Sequence, residues 1–265
     1  MIAATRSELT RLNRKGMLGA WFGLTALFAV IINLVMFSFA ADSGELPAQG
    51  PGVAFPDVAT LETGQGLVAG LSTAASMFGV VTLSFWAIAT ATDYSTGLIR
   101  VLASAQPRRW TLLAGKVAAL MAVTAAATTL ALIVNVGVAP VTAKGAGFDV
   151  TAWRDNPASE ILTAWVDVYA SLLVWGVIGL VIALLTRSAA VAISIGAGWV
   201  LLVEGIISAA FDSGLDWLPG VVLTALAQGG NDTLPYAEAA ALGAGYAIIG
   251  LGVALTVTTR RDITD

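Results

Sequence analysis

The chain has 265 residues, 57% of them hydrophobic and only 11% charged, with a mean hydropathy of +0.85 and a formal net charge of −4. A soluble domain carries roughly a quarter charged residues, so this composition belongs to an integral membrane protein. The chain contains no cysteine and no histidine, which excludes disulfides, thiol catalysis, histidine metal sites and histidine-based triads.

In chain order, residues 1–16 (MIAATRSELTRLNRKG) are too polar and too long ahead of the first apolar run to be a signal peptide. They read as a cytoplasmic amphipathic helix, with Ile2, Leu9 and Leu12 available to the membrane interface. Apolar runs of about 20 residues, enough to cross a ~30 Å hydrocarbon core, follow at 17–40, 67–91, 111–140, 161–185, 189–210 and 237–258. The expected fold is an all-α integral membrane protein: six transmembrane helices over 17–258, no separate soluble domain, and a cytoplasmic tail at 259–265. The 28 glycines suit close helix packing in lipid. Gly19–Gly23 and Gly66–Gly70 match the GxxxG spacing, but in so glycine-rich a chain such matches arise by chance.

Residues 91–116 (ATDYSTGLIRVLASAQPRRWTLLAGK) lie between the second and third runs and carry Arg100, Arg108, Arg109 and Lys116 against a single acid, Asp93. Read as a helix, Tyr94, Leu98, Val101, Leu102 and Ala105 form one apolar stripe, with Ser95, Ile99, Arg100 and Ser104 largely off it. The segment therefore reads as an imperfectly amphipathic basic helix: either a docking surface for a cytosolic partner or an ordinary positive-inside loop with a surface helix. Thr92 or Asp93 is expected to cap its start, Gly97 to interrupt it and Pro107 to end it, with Arg108, Arg109 and Trp110 at the membrane boundary.

Between the fifth and sixth runs, residues 221–227 are apolar but too short to span. They read as a short extracellular helix dipping into the outer leaflet, anchored by Trp217 and Tyr236, or as a partly ordered external loop.

Lysine and arginine set the orientation. With six spans, Arg6, Arg11, Arg14, Lys15, Arg100, Arg108, Arg109, Lys116, Arg187, Arg260 and Arg261 fall on one side, and only Lys144 and Arg154 on the other. Both termini and the 91–116 segment are therefore expected in the cytoplasm.

Three polar residues inside the spans are candidates for a translocation path or a subunit interface: Asp167, Glu204 and Asn33. Ionisable groups there are costly and mark function by default. Asp167 and Glu204 either face a vestibule or interface, or snorkel outward and cap helix turns. Asn33, with Asn135 and the Thr124, Thr128, Thr129 group, reads as an interhelical hydrogen-bonding contact. No nucleotide-binding loop is present: Lys116 follows Gly115, but Trp110 stands where the upstream glycine belongs.

The sequence Asp93-Tyr94-Ser95-Thr96-Gly97-Leu98-Ile99-Arg100, followed by Pro107, Arg109 and Lys116, resembles the cytoplasmic segment of bacterial ABC-2 type transporter permeases. Asp93 stands where many members have Glu, and Leu98 where many have Thr. The motif covers about a tenth of the chain, and the six-span layout and basic N-terminal helix also fit. The resemblance implies an elbow helix before the first span, a coupling helix between the second and third, and an external helical excursion between the fifth and sixth. It also implies two cytosolic ATPase subunits and a second permease subunit, identical or homologous, in the bacterial cytoplasmic (inner) membrane. Asp93, Tyr94, Leu98, Ile99, Arg100 and Leu102 would form the ATPase-docking surface. No cofactor would be bound by this chain, ATP and Mg belonging to the partner ATPase; no nucleic acid and no catalysis by the chain alone are expected. An ion-gradient-driven transporter or channel using Asp167 or Glu204, and a non-transporting membrane scaffold, are the alternatives.

Overall fold

The computed structural model describes residues 2–13, 15–43, 55–98, 109–210, 216–231 and 234–260. The apolar runs fold as helices because a backbone amide in hydrocarbon has to find its partner within its own segment. In chain order the helices are α1 (Ile2–Leu12), α2 (Lys15–Ser43), α3 (Val58–Leu61), α4 (Gly66–Thr73), α5 (Ala75–Ser95) and α6 (Arg109–Gly145). After a 3-10 turn at Ala152–Arg154 come α7 (Pro157–Thr186), α8 (Ala189–Gly198), a π-helical segment (Trp199–Val203), α9 (Glu204–Ala210), α10 (Pro219–Ala227) and α11 (Tyr236–Arg260). Five of them, α2, α5, α6, α7 and α11, are long and apolar enough to cross a membrane. The protein is an all-α, multi-pass membrane protein.

At the centre α5 packs on α7 more extensively than any other pair, through reciprocal glycine and tryptophan contacts. A Cβ on Gly79 of α5 would lie 2.4 Å from the Trp175 indole of α7, and one on Gly176 of α7 would lie 2.4 Å from the Trp86 indole of α5. One turn on, a Cβ on Gly179 would lie 2.3 Å from the Leu83 carbonyl oxygen. Without side chains at these three positions the helices approach closely enough to bury both indoles, at 0% and 2% exposure. Trp86 Nε1 donates to Thr124 Oγ1 of α6 at 3.0 Å, which ties the third helix to this pair.

The expected single helix over 67–91 is instead two. α4 ends at Thr73, Ala74 turns, and α5 begins at Ala75. α4 is held by a polar relay: Asn33 Nδ2 of α2 donates to Asn135 Oδ1 of α6 (2.8 Å), and Asn135 Nδ2 donates to the Leu67 carbonyl (2.9 Å). Gly70 leaves room for the Asn33 amide, which would lie 2.4 Å from a Cβ there. The expected cap at Thr92 or Asp93 is also corrected: both lie in the last turns of α5, and the helix ends after them, with Gly97 at φ +68 accepting the left-handed position past the C-cap. α6 runs further than expected, through Pro140 to Gly145.

α10 is short, yet Gly220, Val222, Leu223, Ala225, Leu226 and Ala227 are buried. It is fastened to α7 by Ser171 Oγ donating to the Leu223 carbonyl (2.8 Å) and to α5 by a Ser76–Thr224 hydroxyl contact (2.9 Å). By contrast α11 presents Ile248, Ile249 and Leu255 outward, as a lipid-facing helix does.

Candidate functional site

The most concentrated charge inside the bundle lies where α1 meets the last turn of α5 and the first turns of α6. α1 approaches α6 at Gly115, where a Cβ would come within 2.7 Å of Ala4 Cβ and 3.2 Å of the Ala4–Thr5 peptide. Glu8, Arg11 and Leu12 fall on the face of α1 turned to the bundle, as a spacing of three and four residues dictates. Leu12, expected at the membrane interface, is instead 5% exposed and packs in the core with Trp21 and Phe85; Leu9 remains exposed. The side chain of Ile2 lies outside the described set.

Lys116 extends its ammonium toward three acceptors: Asp93 Oδ2 at 2.8 Å, Glu8 Oε2 at 3.2 Å and the Ala89 carbonyl at 3.2 Å. Those are as many acceptors as an ammonium has protons. Arg11 donates one guanidinium nitrogen to Glu8 Oε1 and the other to Asp93 Oδ1. The four side chains form a closed ring of alternating sign, with Glu8, Asp93 and Lys116 all buried. A buried charge is tolerated when it is paired and hydrogen-bonded on every side. Asp93 has a second need for cations, because it sits at the negative end of the α5 dipole. A cavity of about 50 Å³ opens beside the ring, bordered by Met17, Thr92, Thr96 and Leu98. A drug-sized ligand needs ~300 Å³ or more, so this space suits water and not cargo.

The sequence-predicted site residues separate into three places. Asp93, Tyr94 and Leu98 belong to this end: Asp93 is in the ring, Leu98 borders the cavity, and the Tyr94 ring lies 5.9 Å beneath the Arg187 guanidinium. That cation–π contact brings the turn between α7 and α8 to the same end of the bundle. Ile99, Arg100 and Leu102, with Pro107, lie outside the described residues. Asp93, expected to contribute a polar docking contact, is 4% exposed, and its carboxylate faces Arg11 and Lys116.

Asn33 is fully buried, and its amide nitrogen is shared between the Ala29 carbonyl (2.7 Å) and Asn135. Asp167 and Glu204 lie around α10 and are both buried. Asp167 accepts from Tyr236 Oη at 2.7 Å. Glu204 Oε1 accepts from Trp199 Nε1 at 2.7 Å and from the Gly220 amide at 3.0 Å, so its carboxylate caps the start of α10. Gly220 leaves room for that carboxylate, since a Cβ there would lie 2.1 Å from Glu204 Oε2.

Sequence reasoning missed Glu8, Arg11 and Lys116 as one unit. The available signal was Glu8, an isolated acid in a basic N-terminal helix, three residues before Arg11. Among the described residues no group of three or more Asp or Glu side chains is placed to hold a metal ion. The ring has no water-exposed nucleophile and no space for a substrate; what it can do is hold three helices together.

Among curated proteins and among solved structures, nothing matches this chain. A family model described as "Protein of unknown function (DUF2705)" matches residues 25–264, nearly the whole length, and the chain belongs to that family.

Proposed function

We propose that this chain is the membrane-spanning permease subunit of an ABC-2 type ATP-driven exporter. In this reading the α-π-α run from Ala189 to Ala210 is a sixth span, α10 is a re-entrant helix at the extracellular side, and both termini are cytoplasmic in a bacterial inner membrane. Two permease subunits, identical or homologous, form the path, and each takes one cytosolic ATPase subunit that supplies ATP and Mg.

The observation that carries the reading is the buried neck that Asp93 and Lys116 form on the two sides of residues 99–108 in the chain. The segment with the permease-like motif leaves a helix end fixed by Asp93 and returns through a helix fixed by Lys116, 2.8 Å away. A surface that has to transmit force needs a rigid root, and a docking element is needed because the chain has no phosphate-binding loop of its own. An ion-gradient transporter fits less well. Its coupling carboxylate, Asp167 or Glu204, would have to exchange an ion with water, whereas Glu204 is occupied by Trp199 and Gly220 and Asp167 accepts from Tyr236.

The test is copurification from the native membrane. A soluble ATPase is expected to accompany the wild-type chain, and Leu98→Asp or Leu102→Asp, each placing a charge on the apolar stripe, is expected to weaken its retention by about tenfold or more, the scale of a central interface anchor. Full retention and normal stimulation of the ATPase by both variants would overturn the docking assignment.

A further inference from the structure

The end of α5 and the start of α6 are pinned together by Asp93 and Lys116, and α1 covers this neck from the side. Arg11 and Lys116 each touch both acids, so the four groups are one alternating ring and not two independent pairs. Glu8 and Arg11 come from α1, Asp93 from α5 and Lys116 from α6; only Asn13 and Arg14 separate α1 from the start of α2 at Lys15.

We infer that α1 is a charge-locked brace, which holds the end of α5, the start of α6 and the entry to α2 as one rigid body, with Glu8, Arg11 and Lys116 as positioning residues. Leu12, buried against Trp21 of α2 and Phe85 of α5, is the apolar half of the same brace. Its consequence for transport rests on the docking role proposed above: a push on residues 99–108 reaches α2 through α1, without first bending α5. The brace itself is a property of the chain alone.

Ring and pair differ in how they respond to charge exchange. An isolated Asp–Lys pair survives exchange of its partners. In the ring, Asp93→Lys with Lys116→Asp places a lysine beside Arg11 and an aspartate beside Glu8, so the exchange fails. Only reversal of all four (Glu8→Lys, Arg11→Glu, Asp93→Lys, Lys116→Glu) returns alternating sign.

The chain has no cysteine, so spin labels enter without background. Labels at Ser7→Cys with Ser95→Cys, and at Gly19→Cys with Ser95→Cys, read the α1–α5 and α2–α5 distances in lipid nanodiscs. The wild type is expected to give one narrow distribution for each pair. Arg11→Gln, at the most exposed member of the ring (26%) and so the change the fold tolerates best, is expected to lose the narrow α1–α5 distribution. The two-residue exchange is expected to lose it as well, and the fourfold reversal to regain it. Unchanged widths in folded Arg11→Gln protein, or rescue by the two-residue exchange, would overturn the brace. In the complex with the copurified ATPase, movement between α2 and α7, read by labels at Gly19→Cys with Leu185→Cys, on adding a non-hydrolysable ATP analogue is expected to vanish in Arg11→Gln while the ATPase stays bound. Failure of any ATPase to accompany the wild-type chain defeats the docking proposal instead, and the distance widths then decide the brace by themselves.

Discussion

Replacing Gly176 by alanine adds one methyl group at one of the close contacts between α5 and α7. The new Cβ would meet Trp86 Cε2 at 2.4 Å, Cδ2 at 2.5 Å and Cζ2 at 2.9 Å. Carbon atoms rest at about 3.5–4.0 Å, so the indole would have to withdraw by roughly 1 Å. It has nowhere to go: Trp86 is fully buried and its Nε1 is bonded to Thr124. Overpacking costs about 1–3 kcal/mol, and loss of the indole hydrogen bond adds about 1 kcal/mol. Alanine also gains about 1 kcal/mol of helix propensity over glycine, so the proper control is an alanine with the same gain and no clash. Gly137 of α6 serves, because nothing lies within 4 Å of its would-be Cβ. Gly176→Ala is then expected to be less stable than Gly137→Ala by about 2–4 kcal/mol. At roughly 2–4 °C per kcal/mol for a chain of this size, thermal unfolding in detergent, followed by loss of the monodisperse peak in size-exclusion chromatography, should separate the two by about 5–15 °C. Adding Trp86→Leu to Gly176→Ala should recover part of the loss, a non-additivity expected only of residues in contact. Equal melting temperatures for the two alanine variants would refute the interlock.

Two further outcomes follow from the polar ties. Glu204→Ala removes the acceptor of the Gly220 amide; a buried donor left unsatisfied costs about 1–3 kcal/mol, so amide exchange in the peptide covering α10 should quicken by about tenfold, with Glu204→Gln in between. Unchanged exchange would show that α10 does not depend on this carboxylate. Asn135→Ala breaks the bonds to Asn33 and to the Leu67 carbonyl, and at ~0.6 kcal/mol each in a membrane it should lower the melting temperature by a few degrees. Adding Asn33→Ala should cost little more, and fully additive losses would mean that the two amides act separately.

The long elements were legible because hydrophobic length alone sets them. The α2, α6, α7 and α11 helices cover the expected runs and extend a few residues beyond each. The break at Ala74 was not legible, since the run GLVAGLSTAASM holds no proline or charge to mark it; the polar relay that fixes α4 comes from Asn33 and Asn135, each remote in sequence. The same holds for the site. Asp93 was recognised as the lone acid of its segment, but a helix-cap reading uses only neighbours along the chain. Its partners are Arg11, 82 residues away, and Lys116, and no local pattern announces a ring assembled from three helices. Glu204 was flagged by its cost in hydrocarbon, while the amide that satisfies it belongs to α10, sixteen residues further on.

The π-helical turn at Trp199–Val203 divides the α8–α9 run into two halves with different angular phase. A π turn amounts to one extra residue in an α-helix, and each α-helical residue advances the face by about 100°. Before the turn, Ala192 and Gly196 point at α5, where a Cβ on Gly196 would reach Leu83 at 2.6 Å. After it, Glu204 points at α10, directly beneath Trp199 five residues earlier. Converting the π turn to α-helical geometry with no residue deleted would keep the backbone hydrogen bonds within the helix, yet swing α9 by about a quarter of a revolution. Glu204 would then face away from Gly220 while α8 stayed seated on α5. The helix is therefore keyed to two partners at once, and a single residue sets the angle between its keys.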